Sequence, residues 1–177
     1  VVGLNDVSFN ICQGVTGLLG PNGAGKSTFM KLLTGQLKAT SGSIKFKDMN
    51  IWKNQDVFKT MGFCPEQDVL YGHLTGFQFV TYMLNLHGYD DKSAKKRAEE
   101  VLEMMGMKDG MHRKTSQYSR GMRQRTKLAQ AIAHDPELLV LDEPLTGLDP
   151  VGRNFMIERI KDLGQQGKSV LISSHVL

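Results

Sequence analysis

Hydrophobic positions change their period several times along the chain, and each change marks a candidate element. Short apolar or alternating runs fall at Val7 to Ile11, Val15 to Leu19, Ser43 to Phe46, Thr60 to Cys64, Leu138 to Leu141 and Ser169 to Ile172. Their lengths and flanking polar residues predict strands. The stretch Ala39-Thr40-Ser41-Gly42-Ser43 reads as a turn. Between Pro65 and Tyr118 the strand pattern fades and helical spacing replaces it. An apolar face runs over Phe77 to Leu86, another over Ala94 to Met105 behind the capping pair Asp90-Asp91, and a third helix is expected over Met122 to Ala133. Met83, Met104, Met105, Met107 and Met111 are expected to fill a core. Strands alternating with helices predict an α/β sheet, here with a helical insertion between its two halves.

One of these strands leads directly into chemistry. Gly20-Pro21-Asn22-Gly23-Ala24-Gly25-Lys26-Ser27-Thr28 follows Val15 to Leu19 and completes a G-x-x-x-x-G-K-[ST] pattern, with Phe29, Met30, Leu32 and Leu33 carrying a helix away from it. The glycines let the backbone turn so that consecutive N–H groups converge on phosphate oxygens at a helix start. Lys26 is then expected on the β/γ-phosphates and the Ser27 hydroxyl on Mg²⁺.

A second strand ends in two acids. Leu138 to Leu141 is followed by Asp142, Glu143 and Pro144. In a parallel sheet the carboxyl ends of the strands face the ligand, so Asp142 is expected to share the Mg²⁺ with Ser27 and Glu143 to orient or deprotonate an attacking water.

Composition narrows the picture further. The 177 residues suffice for one domain with a real core. Cys12 and Cys64 have no metal-like spacing, suit a reducing compartment, and neither is a nucleophile candidate. No apolar stretch is long enough to cross a bilayer and no signal-peptide pattern opens the chain, so a membrane role is expected to run through a partner. The formal charge of +4 is modest, and the Lys92, Lys95, Lys96, Arg97 cluster has Glu99 and Glu100 beside it. It reads as a solvated helix face, and no nucleic acid is expected as a partner. Val1 begins within a strand-like run and Leu177 follows one closely, so both ends read as cut.

The remaining motifs carry a family likeness. Tyr118-Ser119-Arg120-Gly121-Met122-Arg123-Gln124-Arg125 resembles the signature motif of ATP-binding-cassette ATPases, Leu148-Asp149 after Thr146-Gly147 resembles their D-loop, and His175 resembles their switch histidine. The order of motifs, from phosphate loop to histidine, matches that family over nearly the whole chain. The resemblance implies a P-loop NTPase fold: a core sheet with helices on both faces, expected from 1–65 and 135–177, and an inserted α-helical subdomain from 66–134 that carries the signature. It further implies ATP and Mg²⁺ as cofactors, hydrolysis to ADP and phosphate, and a place on the cytoplasmic face of a membrane. A transmembrane permease subunit docked near Glu66 to Gly76 and a sandwich dimer of two nucleotide-binding domains are implied partners. In that dimer Ser119 and Gly121, with Asp149 nearby, complete the other subunit's site, while His175 senses the γ-phosphate.

The departures from the family pattern are also informative. Arg120-Gly121-Met122 stands where the commonest signature has Gly-Gly-Gln, and Tyr118 replaces a usual Leu. This variant resembles ATPases that serve export permeases encoded as separate chains. Glu66 and Gln67 are both candidates for the glutamine that follows the strand in the family, the spacing back from Leu74-Thr75 favouring Glu66. The adenine-stacking aromatic of the family normally precedes the first strand, and Phe9 stands too near the phosphate loop for that role. The alternatives are a soluble family ATPase outside transport, which would be expected to show tandem cassettes or coiled-coil insertions, and a nucleotide-gated scaffold, which would be expected to lack Glu143 or Lys26.

Overall fold

Four apolar runs become strands of one sheet: β1 (Gly14–Leu19), β4 (Met61–Cys64), β5 (Leu138–Leu141) and β6 (Ser169–Ser174). A computed structural model describes residues 3–175 and places them in the order β1-β6-β5-β4, every neighbour parallel. The register pairs Leu19 with Ser174, Leu141 with Ile172 and Cys64 with Leu141. All four carboxyl ends therefore open on one edge of the sheet, and the segments that follow them share that edge.

Two cores flank the sheet because β5 is apolar at every position. Leu139 and Leu141 face one core with Val170, where they meet α6 (Pro150–Gln165) through Met156, Ile160 and Leu163. The same core continues into a helical layer of α3 (Gly76–Leu86), α4 (Asp91–Met104) and α5 (Arg120–Ile132), packed through Phe79, Leu84, Ala98, Leu102 and Leu128. Leu138 and Val140 point the other way, to Met30 and Leu33 of α1 (Lys26–Leu33) and Val57 of α2 (Gln55–Lys59). Period-two alternation along a doubly buried strand thus gives helices on both faces. Each fully buried Leu, Met or Phe contributes about 1.5–3 kcal/mol of transfer free energy to this arrangement.

Helix starts are set by short polar caps. Asp90 accepts from the Ser93 N–H at 3.1 Å at the head of α4, the expected capping residue. Thr75 and Gln78 form a reciprocal capping box on α3. Asp149 caps α6, with Pro150 in the first turn. On α4 the basic cluster is partly paired, Lys95 to Asp91 at 2.7 Å and Arg97 to Glu100 at 3.2 Å.

Several expectations are corrected. Val7 to Ile11 is not a strand: it pairs with no neighbour among the described residues, and Val7 and Phe9 remain 56% and 46% exposed. An alternating pattern becomes a strand only when a ladder partner satisfies its backbone. Here Phe9 merely tilts against Phe29, ring centroids 5.3 Å apart. Ser43 to Phe46 shrinks to β2 (Lys45–Phe46), which pairs antiparallel with an unforeseen β3 (Met49–Asn50) in a separate hairpin. Its two loop residues, Lys47 and Asp48, have φ of 48° and 63°, as a type I′ turn requires. Met105, Met107 and Met111 are buried, but Met104 is 47% exposed because it ends α4 on the outer face.

Candidate functional site

The glycine-rich loop joins β1 to α1 and takes its shape from two residues in the left-handed region. Gly23 has φ 85° and Gly25, the N-cap of α1, has φ 91°. Gly25 has no room for a side chain, since a Cβ there would lie 2.7 Å from the Gly3 carbonyl oxygen. Without a side-chain cap and with no acid in the first turn, α1 presents its opening N–H groups and positive dipole end unneutralised. Lys26 folds back over the loop, its ammonium donating to the carbonyls of Gly20 at 2.5 Å and Pro21 at 3.1 Å. The Ala24 N–H closes the turn onto Pro21 O at 3.2 Å. Ser27 is exposed on the first turn of the helix and Thr28 is half-buried beside it.

The acids at the end of β5 are held by a residue that the sequence reading passed over. Ser173, fully buried on β6, donates its hydroxyl to Asp142 Oδ1 at 2.6 Å and accepts the Glu143 N–H at 2.9 Å. The Asp142 N–H extends the ladder to Cys64 O at 2.8 Å. The chain then bends sharply: Glu143 has φ 50°, a left-handed conformation that costs a β-carbon residue about 1–3 kcal/mol. Its carboxylate, on a residue only 7% exposed, accepts from Thr146 Oγ1 at 3.0 Å and lies 2.8 Å from His175 Nδ1. His175 follows directly from β6, so the strand pairing alone brings the histidine to the acid. A cavity of about 130 Å³ opens here, lined by Glu143, Thr146, Gly147, Arg153 and His175.

Ser119 caps α5, accepting the Met122 N–H at 3.3 Å. Among the described residues nothing demands a glycine at 121, where the nearest neighbours of a Cβ would be Leu148 and Ser119, both at 3.9 Å. Arg120 lies across Gly147, whose φ is 70°; a Cβ there would fall 2.2 Å from the guanidinium carbon. The signature segment thus abuts the loop that follows Glu143. Asp149 acts as a helix cap, Oδ1 to the Gly152 N–H at 3.3 Å. The tyrosine that replaces the usual leucine has its own work: Tyr118 Oη accepts the Gly76 N–H at 3.2 Å and donates to Gly110 O at 2.9 Å. Burial holds that phenol above its ordinary pKa.

After β4, Pro65, Glu66 and Gln67 turn their carbonyls onto the ammonium of Lys127, and the side chains of Glu66 and Gln67 are exposed. Cys64 is wholly buried; desolvation pushes its thiol up to about 11, so it carries no thiolate chemistry at neutral pH.

The strand order therefore brings the phosphate loop, Asp142, Glu143, His175 and the 65–67 segment to one edge of the sheet. Ser119 and Gly121 sit at the head of α5, beyond the loop that follows Glu143. Ser173, Thr146 and Lys127 were missed. Ser173 stands two residues before His175 on a strand whose neighbour ends in acids, and that register was the available signal. The donors Ser27 and Asp142 are hard oxygens, which fits Mg²⁺; among the described residues no cluster of three His, Cys, Asp or Glu side chains forms a metal site. A larger cavity, about 1390 Å³, lies between the N-terminal segment and residues 37–47 and excludes both acids. The smaller cavity is the one that Glu143 and His175 line together.

The family model described as "ABC transporter" matches residues 4–146. The uncharacterized ABC transporter ATP-binding protein YdbJ of Bacillus subtilis is 38% identical over 177 residues, covering 98% of this chain and 56% of its own length. The linearmycin resistance ATP-binding protein LnrL of the same organism is 38% identical over 97% of this chain and 56% of its own length. The lantibiotic transport ATP-binding protein SrtF of Streptococcus pyogenes is 38% identical over 98% of this chain and 74% of its own length. The chain thus spans about half the length of the first curated relatives it matches. Among solved structures, the dimeric post-hydrolysis state of the ATP-binding cassette MJ0796, bound to ADP and Pi, superposes with a TM-score of 0.89 at 26% identity, covering 98% of this chain and 80% of that one. The ATP-binding subunit of an ABC transporter gives 0.86 at 27% identity, over 99% and 74%. With the family model spanning most of its length and these relatives matching it almost end to end, the chain belongs to the ABC transporter family, as an ATP-binding domain of the P-loop α/β fold.

Proposed function

We propose that this domain binds and hydrolyses ATP to power an exporter, acting at the cytoplasmic face of a membrane with a separate transmembrane permease and a second nucleotide-binding domain. The printed roles of LnrL and SrtF in antibiotic resistance and lantibiotic transport support the export reading, and the dimeric cassette supports the paired domains. No described helix is long and apolar enough to cross a membrane. The observation that carries the reading is the convergence on one sheet edge of an anion-binding loop and a buried carboxylate already held by a hydroxyl and an imidazole.

The loop N–H groups and Lys26 hold the phosphates, Lys26 exchanging the Gly20 and Pro21 carbonyls for phosphate oxygens. Ser27 and Asp142 hold Mg²⁺, which when bound neutralises charge on the phosphates. Ser173 fixes the Asp142 carboxylate and the Glu143 backbone together. Glu143 takes the proton from the water whose oxygen attacks the γ-phosphorus, and ADP departs. His175 and Thr146 orient that carboxylate, and in this reading His175 also senses the γ-phosphate. Ser119, Gly121 and Asp149 act at the partner domain's nucleotide. A glycine that its own chain does not require is what a close approach by another molecule calls for. Glu66 and Gln67, displayed outward, serve as the link to metal, water and permease.

Glu143→Gln tests the assignment. It keeps the size of the side chain and the Thr146 contact but removes the base, so multiple turnover in the assembled transporter should fall at least about 100-fold with ATP binding preserved. Turnover within a few-fold of wild type would overturn it.

A further inference from the structure

Lys127 is only 3% exposed, and its ammonium is enclosed by three consecutive carbonyls: Pro65 at 2.7 Å, Glu66 at 3.1 Å and Gln67 at 3.2 Å. A buried ammonium is stable only when its three N–H donors are matched, and here the match is one to one. Successive carbonyls in an extended chain point to opposite sides, so three of them converge on one nitrogen only where the backbone curls around it. That curl turns the backbone inward and leaves the Glu66 and Gln67 side chains outside. One turn earlier on the same face of α5, Arg123 pairs with Asp68. The segment that leaves the sheet after β4 is thus gripped by α5, whose amino end carries Ser119.

We propose that Lys127 is a positioning residue that fastens the 65–68 segment to α5, so that Glu66 and Gln67 keep a fixed relation to Ser119 at the head of that helix. This rests on the ATP-hydrolysing reading of the site. The buried three-point grip does the fastening, because the Arg123–Asp68 pair is partly exposed and screened by salt. Arginine is a poor substitute at position 127, since its planar fork does not fit carbonyls that converge on a single point.

The test uses the full-length protein, with its permease for turnover. Lys127→Met keeps the apolar stem and deletes the donors. Amides of residues 66–68 should then exchange with solvent at least tenfold faster, while those of β5 and β6 are unchanged. The kcat for ATP should fall at least tenfold, with KM and the Kd of a fluorescent ATP analogue within threefold of wild type. Arg123→Ala should change kcat less than twofold. If Lys127→Met does not fold, Lys127→Arg carries the test, with a kcat loss of threefold or more at unchanged Kd. Unchanged exchange and kcat in the variant that folds would overturn the proposal, as would a Kd that rises in step with the loss of kcat. Absence of ATP turnover in the wild type would instead sink the reading of the site, whereas the exchange measurement stands without any activity.

Discussion

His134 makes the stability of the fold pH-dependent in a direction that its surroundings fix. It follows α5, stacks on His87 with ring centroids 3.9 Å apart and planes at 10°, and donates from Nε2 to Met61 O at 3.1 Å. Nδ1 is buried and has no partner among the described residues, so a proton there would gain no acceptor. Burial first, and the facing His87 second, push the imidazole down to about 4 from the ordinary 6.5. A histidine lowered in the folded state gives stability that is present above pH 6.5 and lost as the pH falls toward 4, because the unfolded chain takes up the proton first. At pH 5 the full shift is worth about 2 kcal/mol, and partial access to solvent reduces this to about 1–2 kcal/mol. His134→Phe keeps the stack but cannot titrate. It should be less stable at pH 7 by about 1 kcal/mol, for the lost hydrogen bond to Met61. Urea unfolding at about pH 7 and pH 5 should then show wild type losing about 1–2 kcal/mol more than the variant over that interval. An equal loss in the two proteins would refute the argument.

Two further substitutions probe the site's supports. Gly62→Ala places a Cβ 2.0 Å from the Ala131 carbonyl and 2.8 Å from Leu139; because backbone must yield, the cost should reach about 3 kcal/mol or more, read as a lower urea midpoint. Ser173→Ala removes the hydroxyl that joins Asp142 to the Glu143 N–H. Stability should drop by about 1–3 kcal/mol, with kcat reduced at least about tenfold and nucleotide affinity nearly kept; a kcat equal to wild type would remove Ser173 from the site.

Residues whose neighbours in sequence determine their surroundings were legible in advance. The phosphate loop is such a case, since glycine positions, Lys26 and the following helix are local, and so is the acid pair at the end of an unbroken apolar strand. The helices α3 and α4 showed their buried faces within single windows, α5 was expected as a helix, and Asp90 announced its own cap. What stayed hidden depends on register between distant segments. Ser173 is an ordinary polar residue until β6 lies beside β5. Lys127 reads as a surface cation at helical spacing until β4 hands its exit loop to α5. Helix α6 was overlooked because Arg, Asn, Glu and Lys interrupt its apolar positions, although Asp149-Pro150 is a usable start signal. Val7 to Ile11 erred in the opposite sense, a pattern without a ladder to join.

The pairing of β1 with β6 sets an order of assembly. Gly14 meets Ser169, so the strand beneath the phosphate loop is synthesised 155 residues before its neighbour (169 − 14). At about 5–20 residues per second, the ribosome leaves roughly 8–30 s between them. During that interval α3, α4 and α5 can close on local contacts, while the edge of β1 that β6 will pair waits open. Parallel pairing over such a separation is also intrinsically slow. Until β6 emerges, β1 is therefore open to chaperones or to misassociation along the edge that β6 will cover, and the phosphate loop is seated only when β6 arrives with His175 behind it.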